Sequence, residues 1–279
     1  MNPLRIAVLV TCHNRREVTL ASISRLLSAG RATPEVSLRI FVVDDGSSDG
    51  TAEALSALSA SDLNIIEGTG RLFWAGGMRA AFQGAQAFGP FDAYLLFNDD
   101  VRINEDSFRE AVSEYCELNL KQPSALAAST VGERGEVTYS AFRRLSWNPL
   151  KLARVYPTGT LERCDTFNGN FVLVPARAFE ELGGLDPTYI HAYADLDLGF
   201  ELQRLGVPSF LASRPIGQCD ANPPSEARGV LRRVICGTWG KMDSPSQRSH
   251  FLSKNMGAIR ASIFRPILVL RYWLHQLSQ

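Results

Sequence analysis

The feature that most constrains the fold is a rhythm in the first half of the chain. Four short apolar runs, at residues 5–11, 38–43, 63–67 and 93–97, alternate with longer stretches whose apolar residues recur every three to four positions, at 18–29, 51–58, 76–88 and 106–118. Runs this short and this continuously apolar suit strands covered on both faces. Strands that alternate with helical patterns build right-handed βαβ units on a mostly parallel sheet. Asp49 and Asn104 stand where helix N-caps are expected.

Composition narrows the function classes. With 45% hydrophobic and 21% charged residues in 279, the chain is neither disordered nor fibrous, and its length allows one large domain or two small ones. Lys plus Arg equals Asp plus Glu at 29 each, so no whole-chain field draws it to nucleic acid, and no nucleic-acid partner is expected. Cys12, Cys116, Cys164, Cys219 and Cys236 are scattered without a CxxC pair, which fits a reduced, cytoplasmic compartment. The run at 6–10 leads into polar Thr11, His13 and Asn14 and reads as a strand rather than a cleaved leader. The apolar stretch 259–277 carries Arg260, Arg265 and Arg271, too many charges for a membrane span.

After about residue 122 the pattern loosens around Gly132, Gly135, Pro149, Pro157 and Gly159, where loops over a cleft are expected. A strand at 171–174 and helices at 176–182 and 195–205 restore the rhythm. Beyond Ala221 the chain turns basic, with Arg228, Arg232, Arg233, Lys241, Arg248, Lys254, Arg260, Arg265 and Arg271 interleaved with Trp239, Phe251, Phe264, Tyr272 and Trp273. This divides the chain into a domain at 1–221 and a helical C-terminal extension at 222–279. The extension could contact a membrane surface, form a homodimer or cover the core.

In open parallel sheets ligands collect beyond the carboxyl ends of the strands, and three acidic clusters fall there. DDGSSDGT at 44–51 follows the second strand, where Asp44 and Asp45 could accept hydrogen bonds from a base or ribose and Gly46 permits a tight turn. FNDDV at 97–101 ends the fourth strand. Its adjacent acids are hard oxygen ligands suited to Mg2+ or Mn2+ bridging a diphosphate, with Asp100 the main ligand candidate and Asp99 a second. HAYADLDLGFELQRLG at 191–206 places Asp195 and Asp197 near a helix start, with His191 a further candidate metal ligand. The structural alternatives are a turn and cap, a turn, and a dipole-complementing helix start, respectively.

A different chemistry also fits part of the pattern. Gly46, Ser48 and Gly50 satisfy GxSxG between strand and helix, and Asp195 and His250 follow in the Ser, Asp, His order of a hydrolase. Asp44, Asp45 and Asp49 crowd that serine with negative charge where an oxyanion must form, and no HGGG-like segment supplies an oxyanion hole. A dinucleotide fingerprint fails because Gly68 and Gly70 have no third glycine at Phe73.

Taken together in chain order, these segments resemble a family-2 inverting glycosyltransferase of the GT-A type, from Arg5 to about Gly206. VLVTCHNR at 8–15 resembles the family's first strand and nucleotide-contacting loop, which implies donor contacts for Thr11, His13, Asn14 and Arg15. DDGSSDGT resembles its nucleotide-binding acidic motif, implying base and ribose contacts for Asp44 and Asp45, with Ser47 alongside. GRLFWAGGMRAA at 70–81 resembles the segment that passes over the nucleotide-sugar, bringing in Arg71 and Arg79, with Gly76 and Gly77 allowing close backbone approach. FNDDV occupies the DxD position, with Asn98 in place of its first aspartate. The segment 168–198 resembles the acceptor side, Asn168, Gly169, Asn170 and Asp197, followed by the ED motif, which puts Asp195 at the catalytic base. Ala194 replaces the glutamate of ED, and Glu201 stands where the family often has arginine.

The resemblance implies a Rossmann-like, mostly parallel α/β sheet flanked by helices. It implies transfer from a dTDP- or UDP-sugar to a glycan or lipid-linked acceptor, with Mg2+ or Mn2+, in polysaccharide biosynthesis at the cytoplasm or the inner membrane face. Its flavour is that of bacterial rhamnosyltransferase-like enzymes. The competing expectations are a serine hydrolase acting through Ser48 and a non-catalytic membrane- or nucleotide-binding module.

Overall fold

The computed structural model describes residues 2–221 and 245–256. In chain order the elements are β1 Leu4–Cys12, α1 Arg16–Arg31, β2 Val36–Asp44, α2 Thr51–Ser56, β3 Leu63–Glu67, α3 Phe73–Phe88 and β4 Ala93–Phe97. There follow β5 Arg102–Ile103, α4 Glu105–Lys121, β6 Ala125–Ala127, β7 Thr130–Val131, β8 Ala141–Arg144, β9 Leu152–Val155, β10 Glu162–Cys164 and β11 Thr166–Phe167. The chain continues through β12 Phe171–Pro175, α5 Ala176–Glu181, α6 Ala194–Arg204, β13 Ser209–Leu211, β14 Gly217–Gln218 and a last described helix, α7, Pro245–Met256.

An eight-stranded sheet in the order β10-β13-β6-β12-β4-β1-β2-β3 forms the frame. Its β4-β1-β2-β3 half is wholly parallel, as the strand and helix alternation requires. β12 then enters antiparallel between β4 and β6. Side chains of β1 alternate between two cores. Ala7 and Leu9 pack with Ala75, Met78 and Phe82 of α3, whereas Ile6, Val8 and Val10 pack with Ile23 and Leu26 of α1 and Phe108 of α4. The period of two along a strand buried on both faces explains why the run reads as continuously apolar.

The chain order turns back at β1: β2 and β3 lie on one side of it and β4 on the other. Ligand crevices form at such a switch point, beyond the carboxyl ends of the strands. Gly77 sets how near α3 comes to that crevice. A methyl group there would meet Thr11 Oγ1 at 2.1 Å and Thr11 Cβ at 2.5 Å, so the close approach this glycine permits is to β1. Thr11 is β-branched at its root and cannot swing aside. Gly77→Ala is therefore expected to destabilise by about 1–3 kcal/mol through overpacking, read as a lower urea midpoint at unchanged slope.

One of the two capping expectations holds and the other shifts. Asn104 caps α4, accepting from Ser107 N–H at 3.0 Å. Asp49 is not the residue before α2. That position is Gly50, in the left-handed region at φ 80°, and Asp49 instead splits its carboxylate between Thr51 N–H and Arg16 N–H at the start of α1. Of the basic extension expected at 222–279, only 245–256 is described, and it is helical. The arginines and aromatics expected at 228–241 and 260–273 lie outside the described residues, as does Cys236. Among the described residues no helix is long and apolar enough to cross a membrane.

Candidate active site

Three loops meet over the switch point, and each is tied to the next. After β1, His13 Nδ1–H donates to the Asp45 carbonyl at 2.8 Å while its Nε2 accepts from Asn14. Asn14, in the left-handed region at φ 51°, donates its N–H to Ser47 Oγ and accepts from Ser48 N–H at 2.7 Å. Asp44, at the end of β2, accepts Ser47 N–H. Asp45 accepts the N–H groups of Gly70, Leu72 and Phe73 at 2.7–2.9 Å. The two acids expected to face a base and ribose thus first order the 44–51 and 70–73 turns. Arg71 lies exposed on the latter.

The Asn98–Asp100 run at the mouth of β4 is engaged at every side chain. Asn98 Oδ1 accepts from Trp74 Nε1 at 2.7 Å. Asp99 turns inward, 5% exposed, toward Arg15 at 3.0 Å and the Thr19 hydroxyl at 3.0 Å. Asp100 accepts from Arg15 at 2.9 Å and from the Cys219 thiol at 3.3 Å. Asp99, expected as a metal ligand, here anchors Arg15 from a buried position. Burial pushes its carboxyl up to about 6, with Arg15 opposing the rise.

That shift has a sign in stability. A carboxyl that holds its proton more tightly when folded contributes stability below its unfolded pKa, near 4, and loses it as pH rises through 6. Without added metal, the wild type is expected to lose about 2–3 kcal/mol from this group between pH 4 and 7. Asp99→Asn should lack that slope in denaturant titrations at the two pH values.

Asp195 enters from the first turn of α6. Its carboxylate accepts Gly169 N–H at 3.0 Å and Leu196 N–H at 2.9 Å. Burial pushes its pKa up, against these donors and the Asn168 side chain. Gly169 is the hinge of the arrangement, since a methyl group there would lie 2.5 Å from the Trp74 ring and 3.3 Å from Asp195 Cβ. Antiparallel β12 puts this segment beside β4, where Asn98 N–H donates to the Asn170 carbonyl at 3.1 Å. Asn170 also donates to Cys219 Sγ at 3.6 Å. Trp74 thus bonds Asn98 and packs against Gly169, whose N–H holds Asp195.

Other expected members have different posts. Arg79 donates to the Tyr189 carbonyl at 2.8 Å and braces the loop before α6. Gly76 faces Leu72 Cβ at 3.2 Å. Asp197, expected on the acceptor side, is buried against Lys254 and Asn255 of α7, both at 2.7 Å. Glu201 pairs with Arg204 and, at 3.4 Å, with Lys254. His191 has a buried Nδ1 with no hydrogen-bond partner, and burial lowers its pKa and holds it neutral. Among the described residues no three of His, Cys, Asp and Glu group to hold a metal, so Asp99, Asp100 and His191 do not form the expected set. The hydrolase triad is not assembled either. Ser48 bonds Asn14, His250 bonds Asp186 at 2.9 Å, and Asp195 bonds backbone N–H groups. A cation on Asp100 alone is compatible with its oxygen donors, provided diphosphate and water complete the shell.

The sequence reading passed over Trp74, although an indole beside a glycine pair at a strand mouth is a polar-handled aromatic worth inspection. It also missed Thr19 and Cys219 as partners of the acids, and no local signal marks a thiol 119 residues away from Asp100.

A parallel half-sheet with an acidic run at its switch point and an aspartate facing it from α6 defines a GT-A type glycosyltransferase fold. The profile of glycosyl transferase family 2 matches residues 7–171, more than half of the chain, and the chain belongs to that family. No curated protein sequence matches it. Solved structures that share the fold include two described with nucleotide and metal. Mannosyltransferase PcManGT from Pyrobaculum calidifontis, in complex with GDP-Man and Mn2+, aligns at TM-score 0.54 and 16% identity over 99% of this chain and 76% of its own. GalNAc-T7 with UDP, GalNAc and Mn2+ aligns at TM-score 0.58 and 14% identity over 97% of this chain, which spans 55% of that structure's length.

Proposed function

We propose that the chain transfers a sugar from a nucleoside diphosphate sugar, dTDP- or UDP-linked, to a hydroxyl of a glycan or lipid-linked acceptor, with inversion at the anomeric carbon. The observation that carries this reading is the link from the Asn98–Asp100 run through Trp74, which bonds Asn98 and packs on Gly169, to Asp195, which Gly169 N–H holds.

Asp195 takes the proton from the acceptor hydroxyl as that oxygen attacks opposite the departing diphosphate. The Gly169 N–H holds its carboxylate in place, and a base needs correct placement before any pKa adjustment. Arg15, 43% exposed at its side chain, already sits at the acidic mouth, where its planar fork can pair with phosphate oxygens. Asp100 would hold Mg2+ or Mn2+, whose charge favours departure of the diphosphate. Both solved neighbours are described with Mn2+, which supports a divalent ion. Polysaccharide assembly at the inner membrane face, by a rhamnosyltransferase-like enzyme, is the setting that fits such an acceptor. A homodimer through the basic extension remains part of this reading.

Calorimetric titration of UDP, dTDP and GDP, each with Mn2+ and with EDTA, tests the donor site. One nucleotide should bind only with metal, and Asp100→Ala should weaken it by about tenfold or more. Equal binding by the variant would refute the assignment of Asp100.

A further inference from the structure

We propose that the β8–β9 hairpin docks on an anionic membrane leaflet, which would present a lipid-linked acceptor to the site. The inference deepens the functional reading only in the nature of the acceptor, and membrane binding itself does not depend on transfer. From Val137 to Leu161 the chain contains no aspartate or glutamate, yet it carries Arg143, Arg144, Lys151 and Arg154. On the same hairpin and its exit, Leu145, Trp147 and Tyr156 are 68%, 44% and 57% exposed.

Single exposed apolar residues are ordinary. Three of them among cations, two with a polar handle, have the makeup of segments that settle at a headgroup boundary. The charge is answered only in part within the protein. Arg143 meets Glu162 at 2.7 Å, beyond the acid-free stretch, whereas Arg154 donates to the Val137 carbonyl, which is neutral. A cationic, aromatic segment without acids complements an anionic surface.

Continuity with the end of α7 points the same way. Leu150 at the hairpin packs on Leu252 and Met256 of α7, and Arg144 donates to the Asn255 carbonyl. The sequence after Met256 adds Arg260, Arg265 and Arg271 and no acid. The hairpin therefore borders the point from which further positive charge follows.

The test is flotation of the full chain, without donor or acceptor, on phosphatidylcholine vesicles with and without about one-third phosphatidylglycerol. Wild type should float with the anionic vesicles. Both Leu145→Ser/Trp147→Ser and Lys151→Ser/Arg154→Ser should weaken binding about tenfold, with unfolding midpoints near wild type. Brominated lipid should quench a tryptophan, and because the chain has four, loss of that quenching in Trp147→Phe identifies the hairpin. Equal flotation of both double variants would overturn the proposal. So would a change of mass in solution without a change in flotation, which would assign the face to a second copy of the chain. Neither outcome touches the role of Asp195, which is read from turnover.

Discussion

Asp195→Asn is expected to lower kcat by about a thousandfold, within the range for loss of a general base, while nucleotide affinity stays within about twofold of wild type. The amide keeps one acceptor, for Gly169 N–H or Leu196 N–H, and sets its NH2 against the other, so the urea midpoint is read as well and the loss is chemical where nucleotide affinity is kept. Steady-state turnover alongside nucleotide calorimetry separates the two. Retention of near wild-type kcat would remove the base assignment. The wild type carries a further signature: burial pushes the Asp195 carboxyl up, and only its ionised form accepts a proton. The rate should therefore rise with pH along an acid limb placed above the ordinary carboxylate range.

The largest expected stability change lies outside the site. Lys254→Ala leaves Asp197, 2% exposed at its side chain, without its charge partner and takes a second from Asp186. Breaking a buried pair on one side costs about 3–5 kcal/mol, and since Lys254 is a quarter exposed the low end, about 3 kcal/mol, is expected. Urea denaturation should show a midpoint lower by about 1 M. Burial works to raise the pKa of Asp186, but bonds from Lys254, His250 and Thr188 more than offset it and hold that carboxyl well below the usual range. A depressed folded pKa gives stability above the unfolded value near 4 that is lost as pH falls. The gap between wild type and variant should accordingly shrink in acid. A gap that persisted unchanged at low pH would point to packing rather than charge as the role of Lys254.

The same helix explains why part of the site was hidden from the sequence. Gln247 accepts from Ile190 N–H at 3.0 Å, and Phe251 stacks on Tyr193 at 5.0 Å, so α7 grips the loop that delivers Asp195. Nothing in QRSHFLSKN at 247–255 announces that task, because the partners lie some sixty residues upstream. The parallel half-sheet was legible because strands buried on both faces leave an uninterrupted apolar record. The bounds of β3 and β4 match the residues expected, and α1 and α3 extend a few positions further. The positions of Asp100 and Asp195 were legible because one follows a strand and the other opens a helix whose periods were clear. The duties of Asp99, Asp197, Arg79 and His191 were not, since an acid or base at a strand mouth looks the same in sequence whether its side chain faces the crevice or the interior. Burial decided between the two, and burial depends on residues distant in the chain.

Antiparallel β12 has a consequence for how such a molecule can diversify. The backbone of Asn170 is tied to Asn98, and Gly169 to Asp195, while β8 pairs with β11 and Ser140 bonds Asn168, so the root of the β8–β9 hairpin is coupled to the segment that holds Asp195. The turn between β8 and β9 lies outside these ties and can change in length without moving Asp195, whereas a change in β8 itself reaches Asp195 through Asn168.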